Sequence, residues 1–176
     1  MTVGTSRSSN PRLKTGFTLV ELLVTITIGV ILMTVVAPSF AEIIRNNRVT
    51  AHSNELLAAA LYARGEAVRR KQNIHVIVDE PAGNGWEAAI CISSLCDNPD
   101  DPVRYLDYGG TPIAVFLSSN SLPLTITFDP MGRSTLDPAG NTLVLEHDNC
   151  TGTQRRRFVF SATGRVEIAP PEACGT

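Results

Sequence analysis

From Phe17 to Ala37 the chain runs FTLVELLVTITIGVILMTVVA, apolar apart from a few threonines, and it carries one charge, Glu21. A run of this kind matches the roughly 20 residues that a helix needs to cross the hydrocarbon core of a bilayer. A carboxylate inside it costs about 2.5–3.5 kcal/mol at the bilayer centre on the insertion scale. The acid therefore calls for a function, and the simplest is a partner charge on another subunit. The rest of the chain becomes a head that this segment holds in a membrane.

The flanks set an orientation. Residues 1–16 (MTVGTSRSSNPRLKTG) are polar, contain Arg7, Arg12 and Lys14 and no acid, and read as a leader that stays in the cytoplasm by the positive-inside rule. The remainder then crosses the membrane once. Two plainer readings exist: a secretory signal cut near Ser39-Phe40-Ala41, or a permanent anchor. The apolar run exceeds the usual signal-peptide core of about 7–15 residues, and neither reading uses Glu21.

Beyond Pro38, apolar residues recur at Ile43, Ile44, Val49, Leu56, Leu57, Ala60, Leu61, Ala67 and Val68. That three-to-four spacing predicts a helix with one buried face. Pro38 is expected to kink the helix without ending it. Phe17 to Gln72 would then form one helix roughly 80 Å long, with a membrane half over 17–37 and an amphipathic half over 38–72. Arg69, Arg70 and Lys71 fall at its end, where cations complement the helix dipole.

Residues 73–176 read as a head of short strands. Candidates are 74–79, 86–92, 103–106, 113–117, 124–128, 143–146, 157–161 and 165–168, with turns at 81–85, 137–141 and 162–164. The last turn predicts a hairpin. The fold class is α+β, a long helix packed on an antiparallel sheet. The head carries six arginines against thirteen acids. This argues against general electrostatic binding of nucleic acid.

All four cysteines (Cys91, Cys96, Cys150 and Cys174) lie in the head, and three pairings are open to them. An exported head favours disulfides. Cys91–Cys96 would close a short loop and Cys150–Cys174 would fasten the C-terminal end, whereas the spacing lacks the C-x2-C pair of a zinc site. The run Asp97-Asn98-Pro99-Asp100-Asp101 lacks the glycine and terminal glutamate of a calcium loop and reads as solvated. His52, His75 and His147 accompany no catalytic motif. No enzyme activity, cofactor or metal is expected.

Gly16-Phe17-Thr18-Leu19-Val20-Glu21 resembles the G-F-T-L-x-E processing signature of type IV prepilins. The resemblance implies cleavage after Gly16 by prepilin peptidase, N-methylation of Phe17 to N-methylphenylalanine, and a salt bridge from Glu21 to the terminal amine of a neighbouring subunit. Pro38 falls at the kink position of many pilins. In the head, Asn46-Asn47-Arg48, Ala63-Arg64-Gly65-Glu66-Ala67, Arg70-Lys71-Gln72, Phe128-Asp129-Pro130-Met131-Gly132-Arg133 and the closing pair Phe158–Val166 with its late cysteine, Cys174, resemble the GspH/FimT group.

That group implies a pilin-like fold and one of three functions. The first is a minor pilin at the tip of a type IV pilus, partnered by other minor and major pilins. The second is a GspH-like minor pseudopilin of a type II secretion system. The third is a DNA-binding minor pilin used in DNA uptake, through a G-R-x-R motif. The matching run here is Gly164-Arg165-Val166-Glu167, with glutamate at the second basic position, while Arg155, Arg156 and Arg157 lie nearby in sequence.

Overall fold

The protein, a computed structural model, is described for residues 16–81, 84–94, 96, 102–117, 122–137 and 142–174, excluding the side chains of 35–38, 102, 116, 117 and 137. The leader residues 1–15, the acidic run 97–101 and most of the turn at 137–141 thus lie outside the described residues, as does the Pro38 side chain. Helix α1 is assigned over Leu19–Arg70. The chain divides into two units, Met1–Phe40 and Ala41–Thr176.

The first unit has no interior of its own. Phe17, Leu19, Val20, Ile26, Ile31 and Met33 are all exposed, Phe17 by 83%. Its polar groups are satisfied locally. The hydroxyls of Thr25, Thr27 and Thr34 donate to the carbonyls of Leu22, Leu23 and Ile31 at 2.7–2.8 Å. Threonine here presents its methyl outward and hides its hydroxyl against the backbone, which suits an apolar surrounding.

The second unit buries one face of α1. Val49, Leu56, Ala59, Ala60, Ala63 and Ala67 are at most 1% exposed. Four of these six are alanines, so the buried face of the helix is made largely of small side chains. The helix ends at Arg70, two residues before the expected Gln72. Lys71 takes a left-handed φ of 56° and Gln72 N donates to Ala67 O at 3.3 Å, closing the last turn.

Nine strands follow: β1 (Ile74–Asp79), β2 (Glu87–Cys91), β3 (Pro102–Asp107), β4 (Ile113–Leu117), β5 (Leu124–Phe128), β6 (Ser134–Asp137), β7 (Leu143–His147), β8 (Arg155–Phe160) and β9 (Val166–Ile168). They form two antiparallel sheets, β3-β2-β1-β5-β6 and β4-β7-β8-β9, where the sequence had suggested one. The division follows from β4, which pairs with β7 and with no strand of the first sheet. Strand β6 escaped the sequence pattern because STLD is short and mostly polar. The expected hairpin of the last two strands is present, Phe158 opposite Ile168. Burial alternates along β1, β5 and β7, with Ile74, Val76, Val78, Leu124, Ile126, Phe128, Leu143 and Leu145 fully buried. Trp86 and Phe158 supply the largest remaining core side chains.

Candidate functional site

The N-terminal site is built on the start of α1. Thr18 caps the helix: its Oγ1 accepts from Glu21 N at 3.2 Å, and its carbonyl accepts from Leu22 N at 3.1 Å. Thr18 and Glu21 thus stand at the N-cap and N3 positions of a capping-box spacing. A carboxylate at N3 is favoured by the helix dipole while it waits for a partner. Glu21 is exposed and makes no ion pair among the described residues. A side chain added at Gly16 would meet nothing within 4 Å, so packing within the described chain does not require glycine there.

The cysteines pair as Cys91–Cys96 and Cys150–Cys174. The second pair spans 24 residues of sequence and fastens the end of the chain, where Cys174 N also donates to Gly152 O at 3.0 Å. The backbone between runs beside β8: Ala169 N donates to Arg157 O at 2.8 Å and Glu172 N to Arg155 O at 3.1 Å.

The four arginines proposed for DNA are all engaged. Arg155 pairs with Glu146 at 2.7 Å across the β7–β8 ladder, Arg157 with Glu172 at 2.5 Å, and Arg165 with Glu167. Alternation along β8 turns Arg156 to the opposite face, as its position predicts, and it is buried there at 5% exposure. Its guanidinium donates to Asn46 Oδ1 at 2.6 Å and Thr50 Oγ1 at 3.2 Å on α1, and to the Thr153 and Arg155 carbonyls. Burial lowers its pKa. Arg156 is a tie between helix and sheet.

Arg64, which the sequence marks only as part of a family-like segment, ties α1 to two turns of the head. Its Nε donates to Gly132 O at 2.9 Å and its Nη2 to Thr163 O at 3.4 Å. It clasps two turns of the same design, Asp129–Arg133 and Ser161–Arg165. In each turn the first N–H donates to the fifth residue's carbonyl at 2.9 Å, and the fourth to the first at 2.8 Å. The fourth residue is glycine in both, with φ of 75° at Gly132 and 79° at Gly164. A side chain at Gly164 would collide with the Gly132 carbonyl, so the backbones meet directly. The shared G-R ending of the two turns was the available signal.

Glu66 gathers the basic helix end. Its carboxylate receives Arg69 at 2.5 Å and Arg70 at 2.6 Å, and these bonds hold its pKa down to about 2. No cluster of three metal-ligating side chains occurs among the described residues. No single straight stretch of described helix is long and apolar enough to cross a membrane; Leu19–Thr34 and Ser39–Arg70 meet that test only together.

Residues 52–164 match the family described as Type II transport protein GspH, and residues 11–37 match the prokaryotic N-terminal methylation motif. Among solved structures the chain is similar to the type IV minor pilin FimU of Pseudomonas aeruginosa in two crystal forms. One is 22% identical with a TM-score of 0.55, over 73% of this chain and 96% of that one. The other is 23% identical with a TM-score of 0.52, over 72% and 99%. These likenesses establish a pilin-like fold. No curated protein matches the sequence.

Proposed function

This chain belongs to the GspH family, and from that membership we propose that it is a minor pilin of a type IV pilus. In this reading residues 1–16 are a leader cut by prepilin peptidase between Gly16 and Phe17, and Phe17 is then N-methylated. Residues 17–37 hold the subunit in the bacterial inner membrane, Pro38 bends the helix, residues 38–72 carry the head, and residues 73–176 lie in the periplasm. The subunit then enters the fibre at or near its tip, among other pilins, and primes assembly. The chain itself performs no catalytic step.

The observation that carries this reading is the exposed helix of the first unit, a largely apolar wall whose only charge among the described residues is Glu21. In a fibre, neighbouring helices would cover that wall. The new amine of one subunit would face the carboxylate of the next, and two charges that are costly alone become tolerable as a pair. Gly16 adds support: with no packing demand on it from the described chain, its small size suits a peptidase approaching the backbone.

Mass spectrometry of the mature N-terminus is the test. The expected product begins at N-methylphenylalanine 17 and disappears in a host lacking the peptidase. A product beginning after Ala41 would overturn the reading.

The family's description favours a second reading, a minor pseudopilin of a type II secretion system. Deletion separates the two: loss of surface pili with normal secretion supports the first, and the converse supports the second. DNA contact through Arg155, Arg157 and Arg165 is a third reading with no favouring geometry, since each already faces a carboxylate. Retardation of DNA by the full chain at low salt would revive it.

A further inference from the structure

Two histidines in the second unit share one chemical situation. His52, on α1, accepts a hydrogen bond at Nδ1 from Trp86 Nε1 at 3.2 Å. His147, at the end of β7, accepts one at Nδ1 from Asn149 N at 3.1 Å. An accepting ring nitrogen must keep its lone pair, so both rings are neutral with the proton on Nε2. The indole N–H can only donate, and Trp86 is fully buried. Protonating His52 would set donor against donor and strand that N–H in the core.

The two rings sit in one network of loops. Trp86 stacks on Tyr108 with centroids 4.7 Å apart, and the edge of His52 meets Tyr108 at 4.8 Å and Trp86 at 6.0 Å. Tyr108 N donates to Trp86 O at 3.0 Å and Gly110 N to Asn84 O at 2.9 Å. A side chain at Gly85 would collide with the Tyr108 carbonyl. Asn84 Nδ2 donates to Asp148 Oδ2 at 3.3 Å, and Asp148 N to Pro112 O at 3.1 Å. The loops at 84–86, 108–112 and 147–149 are therefore joined, with one histidine at each side.

The surrounding charges act on both rings. Burial is the first influence on each and disfavours the cation. Arg48 of α1 bears on both in the same direction, and Arg45 adds to it at His147. Glu55 of α1 opposes this at His52, and Asp148 opposes it at His147. Glu55 and Arg104 bear on the Tyr108 phenol.

We propose that His52 and His147 form an acid-sensitive latch. Neutral, His52 fastens the loop at 84–86 to α1 and His147 closes the turn at 147–149. Protonated, they release the Trp86 N–H and the Asn149 turn, and two new cations appear beside Arg48. Neither the strand ladders nor the backbone bonds between the loops titrate, so acid acts on these two histidine fastenings alone. The latch responds to the pH of the compartment in which the head stands.

Trp86 is the only tryptophan in the chain, so its emission reads the latch directly. With the full chain in detergent micelles, titration downward from about pH 8 should leave emission flat until about pH 6.5, the ordinary histidine value, and then change it. His52→Gln keeps an acceptor that does not titrate, so its emission should stay flat. His147→Gln should keep the emission change and abolish the acid shift of the Asn149 amide resonance. In the unaltered chain both imidazoles should titrate below the ordinary value, which decides the matter if a variant misfolds. Constant wild-type emission through the acid range, a change that persists in the double variant, or imidazoles titrating at or above the ordinary value would each overturn the latch.

Discussion

The two ends of α1 obey opposite rules. Before residue 35 the described side chains are exposed and almost wholly apolar, and the hydroxyls of Thr25, Thr27 and Thr34 are bonded to their own backbone. After Ala41 the helix has a buried face of small residues and an exposed face with charges. The second half gains its stability from its own chain. The first half has nothing of its own to gain from, so its apolar surface must be matched by lipid or by other subunits. Substitutions in the two halves should therefore be read by different assays.

Core truncation should separate the halves most widely. Phe158→Ala removes a buried ring and should cost about 3–5 kcal/mol in chemical unfolding followed by circular dichroism. Leu23→Ala should leave that transition within about 0.5 kcal/mol and act only on fibre incorporation. Equal losses from the two would break the contrast. Glu21→Ala should likewise leave membrane insertion and head stability intact while abolishing incorporation, measured as the fraction of subunit in sheared fibres.

Glycine substitutions sharpen it next. Gly164→Ala demands a left-handed residue and pushes a side chain into the Gly132 carbonyl, so a loss of about 1–3 kcal/mol is expected. Gly29→Ala meets nothing within 4 Å in a helix interior and should be neutral or gain up to about 1 kcal/mol of helix stability. Arg156→Ala leaves Asn46 and Thr50 without their donor and should cost about 1–3 kcal/mol by the same unfolding assay.

The smallest effect is a pH limb. Glu66 titrates near 2 when folded, below its ordinary 4.5, so its contribution is present above about 4.5 and is lost as pH falls through about 2. Glu66→Gln should remove that contribution above about 4.5 and flatten the acid limb, so that the two stability profiles converge as pH falls through about 2.

Much of the head was legible because burial enforces alternation. The strands of Ile74–Asp79, Ile113–Leu117 and Leu124–Phe128 have the expected bounds, since each is apolar and ends at a turn residue. Strand β6 was not, because an edge strand of polar residues carries no period. The two-sheet arrangement depends on which strand β4 joins, a long-range choice that local pattern does not encode. The processing signature is local and could be read whole. Arg64 could not, because its two carbonyl partners lie 68 and 99 residues away along the chain. Alternation sets Arg156 apart from its neighbours in the basic triplet, but its partners on the helix, 106 and 110 residues away, carry no local signal. The same holds for the cysteines, whose pairing among three options needs distances and not spacing.

The cap at Thr18 bears on how a subunit is made ready. Every hydrogen bond described for the start of α1, from Glu21 N and Leu22 N back to Thr18, lies downstream of the Gly16–Phe17 bond. In the proposed maturation the leader would come away like a tear-off tab, since cutting at that bond leaves both of these hydrogen bonds to Thr18 in place.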